Sequence, residues 1–185
     1  MTGLALEPMA RVLRREGAMK SGSFSTHASL GIAGLAVAAL SFAVLNQQGF
    51  VLYNPSSSLE QGFYVRAETS AQRGVVVTIP VRAVDLDYVE AGRVKAAGDR
   101  FLKRIAAVSG DRVCSENGQI LINDVHLATA SRLDSAGVAL PQWSGCVTLG
   151  DGEVFLLGDD ELSFDGRYWG VTSAANIEAT WRKFP

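Results

Sequence analysis

The sequence predicts a mainly β domain carried behind one N-terminal transmembrane helix. Three observations lead there. Residues 28–45, ASLGIAGLAVAALSFAVL, contain no charged side chain. The chain beyond residue 52 breaks into short apolar runs bounded by turn residues, with no amphipathic helical period. Asn117-Gly118 sits between two β-prone segments, the strongest short-range signal for a hairpin.

Residues 1–27 read as a cytoplasmic tail carrying a basic cluster of Arg11, Arg14, Arg15 and Lys20. The segment 28–45 would extend roughly 27 Å as a helix, close to the ~30 Å apolar core of a bilayer. The positive-inside rule then leaves the N-terminus in the cytoplasm and residues 46–185 outside. A cleaved secretory signal has the same ingredients. Against it, the apolar stretch is longer than a usual signal core and is followed by Asn46, Gln47 and Gln48. Length and flanking charge disfavour a buried core helix.

In the external domain, 75–80 (VVVTIP), 101–108 (FLKRIAAV) and 153–158 (EVFLLG) read as strands, and 112–122 as a hairpin. Residues 128–143 read as an excursion with little regular structure. Cys114 and Cys146 both fall on the external side, where an oxidising compartment permits a disulfide worth roughly 3–4 kcal/mol in the chain-entropy model. Two unpaired buried thiols are the alternative.

Composition excludes several functions. A formal net charge of −2 gives no basic surface for nucleic acid. The two histidines, His27 and His126, and the two cysteines make no metal cluster of familiar spacing, so no metal is expected. No glycine loop for phosphate is present, GDDELSFDG lacks the ligand order of an EF-hand, and no cofactor is expected. His126 would need a serine and an acid converging on it to form a triad; a half-exposed strand histidine is the commoner case.

What remains is NPSSSLEQGFY, residues 54–64. By composition it is a polar turn. A serine in it becomes a nucleophile only beside a base, and without histidine a lysine is the natural candidate. Such a lysine must be buried to lose its charge near neutrality. Lys103 lies within the apolar run 101–108, and strand alternation sends it and Arg104 to opposite faces. Two edge-strand charges that block aggregation are the alternative reading.

Three segments in order then resemble type I signal peptidases. N-x-S-x-S-x-E-x-G-x-Y (Asn54, Ser56, Ser58, Glu60, Gly62, Tyr64) resembles the nucleophile segment, closest to the TraF-like branch that processes conjugative pilins. KRIAAVSGD, 103–111, resembles the lysine segment, and GDDELSFDGRYWG, 158–170, the C-terminal one. The TraF-like L-P-x-W stands at 140–143. The likeness covers nearly everything from residue 54 onward, plus the single anchor.

The resemblance implies a signal-peptidase-like, β-rich Ser-Lys peptidase domain. It implies Ser58 as nucleophile and Lys103 as base, with the Ser56 hydroxyl assisting the oxyanion hole. Ser163 would orient the lysine, and Asp165 and Arg167 would form a supporting ion pair. Three positions depart from the family pattern: Glu60 and Ser109 replace prolines, and Gly166 replaces serine. The expected protein is a single-pass enzyme of the bacterial inner membrane with a periplasmic catalytic domain. Its expected partners are the lipid bilayer and an exported precursor, by preference a conjugative pilin subunit that it trims or cyclises. A general signal peptidase, a self-cleaving repressor peptidase and an inactive anchored assembly factor are the rivals.

Overall fold

The computed structural model describes residues 32–41, 49–94 and 98–185. The chain divides into two units, 1–41 and 42–185. In the first, residues 32–41 form helix α1, with Ile32, Leu35, Val37 and Leu40 exposed. The remainder of the expected span (28–31 and 42–45) and the expected tail at 1–27 lie outside the described residues. Among the described residues no helix is long and apolar enough to cross a membrane.

The described residues of the second unit form eleven strands in two antiparallel sheets. The strands are β1 (Val51–Asn54), β2 (Gly62–Ala67), β3 (Val76–Pro80), β4 (Arg100–Ala107), β5 (Arg112–Glu116), β6 (Gln119–Ile122), β7 (Val125–Thr129), β8 (Gly145–Thr148), β9 (Glu153–Leu157), β10 (Val171–Ser173) and β11 (Ala179–Lys183). Two one-turn helices, α2 (Asp87–Glu90) and α3 (Gly166–Trp169), complete the described regular structure apart from two 3₁₀ turns. The larger sheet runs β1-β2-β11-β3-β4-β9-β10, and the smaller runs β7-β6-β5-β8.

Strand β3, VVTIP, is buried along its whole length, and its one polar side chain, Thr78, accepts the Trp181 indole N–H at 3.1 Å. Strand β4 is nearly as enclosed. Phe101 and Ile105 pack with Val77, Ile79 and Leu156 on one face, and Leu102 packs with Leu59, Tyr64 and Trp181 on the other. The β5–β6 hairpin turns at Asn117 (φ 52°) and Gly118 (φ 81°). Two consecutive left-handed residues match the twist of the flanking strands, and Asn-Gly supplies them at least cost. The stretch after β7 holds an isolated bridge, Leu133 to Ala139. Its turn is fixed by Asp134, which accepts the amide N–H groups of Ala136 and Val138.

A four-way junction staples the two sheets. Asp111, just after β4, accepts hydrogen bonds from the Val108 N–H, the Asn123 side chain and the Arg73 guanidinium. Burial pushes its carboxyl up, but these three donors outweigh burial and hold it below the usual carboxylate range. Cys114 and Cys146 are register partners on β5 and β8 and are joined by a disulfide.

Three strands lie between β1 and β4 in the larger sheet. The sheet nevertheless curls so that the loop leaving β1 meets the far side: the Asp159 N–H donates to the Ser58 carbonyl at 2.7 Å. That curl gathers the side chains described next.

Candidate active site

The loop after β1 is organised by one amide. Asn54, 3% exposed, ends β1 and donates through Nδ2 to the carbonyls of Ser56 (3.1 Å) and Leu59 (3.2 Å). Its Oδ1 accepts from the Ser56 N–H (3.2 Å) and the Ser56 hydroxyl (2.9 Å). A buried amide must satisfy its donors and acceptors, and here satisfying them shapes the turn. Leu59 plugs the loop into the core, and the Tyr64 hydroxyl ties it down through the Glu60 carbonyl at 2.7 Å. Glu60 itself pairs with Lys183, so the position that breaks the proline pattern is anchored by charge. Ser58 is half-buried, with its Oγ 2.9 Å from the Ser56 Oγ.

Lys103 approaches from β4. It is 3% exposed, and its Nζ donates to the Ser163 Oγ at 2.8 Å. Burial pulls the ammonium down from its ordinary 10.5 to about 8; the Asp165 charge opposes this and the Arg167 charge assists it. Arg104 turns the other way and grips Asp159 through two parallel hydrogen bonds of 3.0 and 2.9 Å. Alternation along β4 thus separates one amine from water while leaving its neighbour half-solvated. No hydrogen bond joins the Lys103 Nζ to the Ser58 Oγ among the described residues; Ser163 is the partner of the amine and Ser56 that of the hydroxyl.

The turn between β9 and α3 supports the lysine from below. A Cβ on Gly158 would lie 2.1 Å from the Ser163 Oγ and 2.7 Å from the Ser58 carbonyl, so only glycine permits the approach of both. Asp165, fully buried, accepts the N–H groups of Gly158 (2.7 Å) and Arg167 (3.1 Å). Burial drives its carboxyl up while the Arg167 and Lys103 charges draw it down; the net direction is up. Arg167 donates chiefly to carbonyls: Asp160 (2.9 Å), Glu161 (2.7 Å) and Gly158 (3.0 Å). Its Nε lies 3.5 Å from the Asp165 Oδ1 without making a hydrogen bond. The pair is therefore a loop clamp that contains a contact between opposite charges. Gly166 has a steric cause too, since a Cβ there would sit 2.6 Å from the Leu156 carbonyl. Trp143 of the L-P-x-W stretch donates its indole N–H to the Gly166 carbonyl at 2.9 Å, bracing the same turn.

Ser56, Ser58, Lys103 and Ser163 line one cleft of about 180 Å³, with apolar walls that include Leu52 and Phe101. Asp165 and Arg167 stand behind it. A hydroxyl, a buried amine of lowered basicity and apolar walls suit acyl transfer through an activated serine. The fold places Cys114 and Cys146 on the smaller sheet. With Glu116 they form the single group of metal-type side chains among the described residues, and their sulfurs are bonded to each other. His126 is exposed on β7, and its ring contacts Thr129 at 3.1 Å. Sequence reasoning assigned no role to Asn54, although the motif contained it, nor to Gly158. It also passed over Ser57, whose hydroxyl bonds to the Asp160 carboxylate and helps hold that group below the usual range, behind the Leu162 N–H. Only the N-x-S spacing carried a signal for the first.

The profile of one protein family, described as signal peptidase, peptidase S26, matches residues 23–184. No curated protein matches. Among solved structures, a signal peptidase I from Enterococcus faecalis V583 is similar, with 24% identity over 62% of this chain and 98% of that one, and a TM-score of 0.36.

Proposed function

The chain belongs to the S26 signal peptidase family and is a serine endopeptidase of the signal-peptidase type, and on that premise we propose that Ser58 is its nucleophile and Lys103 its general base. The observation that carries this reading is the Lys103 amine: buried, lowered to about 8, and lining the same cleft as the Ser58 hydroxyl. On substrate binding the hydroxyl rotates from Ser56 towards Lys103. The neutral amine takes its proton as the Oγ forms a bond to the scissile carbonyl carbon. The Ser58 N–H and the Ser56 hydroxyl face the oxygen on which charge develops; losing one such donor typically costs about 10²–10³ in rate. The ammonium then returns the proton to the leaving nitrogen as the C–N bond breaks. Water, deprotonated by Lys103 in turn, hydrolyses the ester. Ser163 fixes the amine, and the Asp165–Arg167 clamp fixes Ser163.

Family membership makes signal-peptide-bearing precursors the substrate class. Within it, we place the enzyme in the TraF-like branch, maturing a conjugative pilin subunit from the periplasmic face of the inner membrane, anchored by residues 28–45. The nucleophile segment 54–64 and Leu140-Pro141-Gln142-Trp143 support the branch. If the attacking amine is the pilin's own N-terminus, the product is a ring. The intact mass of a pilin co-expressed with this chain tests both levels. Wild type should trim it, and a mass one water below the trimmed linear peptide marks cyclisation. Ser58→Ala should leave it full-length. Trimming retained in Ser58→Ala ends the nucleophile assignment, whereas equally fast cleavage of unrelated secretory precursors ends the pilin role alone.

A further inference from the structure

A second cleft of about 700 Å³ opens on the other side of Lys103 along β4. Phe101, Leu102 and Lys103 line the first cleft; Arg104, Ile105 and Ala106 line the second. The two are continuous at one side chain, Leu162, which is 82% exposed and lines both. Gly158 and Asp159 line the second cleft, and the Asp159 N–H donates to the carbonyl of Ser58, which lines the first. The far wall is β7 from His126 to Thr129, an edge strand of the smaller sheet whose outer side pairs with no strand among the described residues. Beside it Val125 and Leu127 are 59% and 51% exposed, and a bulge between His126 and Ala128 sets Leu127 out of the ladder.

We propose that this second cleft binds the part of the precursor that follows the scissile bond, as an extended chain running from Ser58 over Leu162 to the open edge of β7. The inference rests on the Ser58–Lys103 reading above. A cleavable chain must leave the serine in two directions. The first cleft is small and apolar at its walls, fitting the signal side of the bond. The second is larger and carries charged side chains on its lining, Arg73 and Arg104 with Asp159 and Glu161, fitting the hydrophilic start of a mature exported protein. An exposed edge strand offers an extended peptide backbone hydrogen bonds, and nearby pockets sort its side chains. Leu162 between the clefts, backed by Leu127 on the far wall, is the contact such a chain would cover.

The experiment compares peptide substrates identical up to the scissile bond and carrying either one or six residues after it. In the wild type the longer substrate should have a kcat/KM at least about tenfold higher, the equivalent of one buried apolar contact. Leu127→Lys and Thr129→Trp, both exposed positions on β7, should each bring that ratio close to one. A wild-type ratio near one, or a ratio that survives both substitutions, overturns the proposal. Cleavage of the short substrate by wild type and its loss in Ser58→Ala report on the dyad separately, so the two readings fail independently.

Discussion

Replacing Lys103 by methionine removes an ammonium from a buried site without opening a cavity, and the outcome should depend on pH in a specific way. The amine drops from 10.5 to about 8 on folding. At ~1.36 kcal/mol per tenfold change in proton affinity, that gap corresponds to roughly 3 kcal/mol. Below pH 8 the amine is charged in both folded and unfolded chains, and the fold carries the whole cost of burying the charge. Between pH 8 and 10.5 the folded chain releases its proton first, so stability rises with pH; above 10.5 the cost is gone. Lys103→Met carries no such term, though it gives up the hydrogen bond to Ser163, worth about 1 kcal/mol. Urea unfolding of wild type and variant from pH 7 to pH 10 should show the wild type gaining about 2 kcal/mol or more relative to Lys103→Met. Tyr64 and Tyr88, both raised by burial, are present in both proteins and cancel. The proteolytic rate of wild type should climb tenfold per pH unit and level off near pH 8. Parallel stability curves for the two proteins would refute the claim that burial sets the basicity of this amine.

Other expectations follow from the same geometry. Gly158→Ala should lower kcat/KM by at least about a hundredfold, with the β-rich circular dichroism retained, because its methyl collides with both Ser163 and the Ser58 carbonyl. Asp160→Asn keeps the acceptor for the Leu162 N–H but removes a negative charge that favours the Lys103 ammonium, so the midpoint of the pH–rate profile should move below 8. Cys114→Ser combined with Cys146→Ser should lower stability by roughly 3–4 kcal/mol in urea, as expected for a cross-link closing a sequence separation of 32 residues.

Local signals made parts of this architecture legible. Alternation within an apolar run was enough to send residues 103 and 104 to opposite faces, and the structure shows that the lysine is the buried one and the arginine the half-solvated one. Asn117-Gly118 specified its turn because two positive φ angles in succession are costly for other pairs. What could not be read depends on chain segments far apart in sequence. Ser163 reaches Lys103 across 60 residues, a pairing supplied by the family resemblance and by no local signal near either position. The demand for glycine at 158 comes from the Ser163 side chain on its own turn and from the Ser58 carbonyl on a different loop, and that at 166 from the carbonyl of Leu156. The second cleft was invisible for the same reason, since its walls come from β4, β7 and the 158–167 turn, and only a folded sheet makes them neighbours.

Strand β11 lies between β2 and β3, so it joins the part of the sheet that leads to Ser58 to the part that contains Lys103. Its register fixes both sides at once, because Trp181 is the partner of Arg66 on β2 and of Val76 on β3. A substitution that displaced residues 179–183 would therefore change the spacing of the Ser58 hydroxyl and the Lys103 amine without touching either residue.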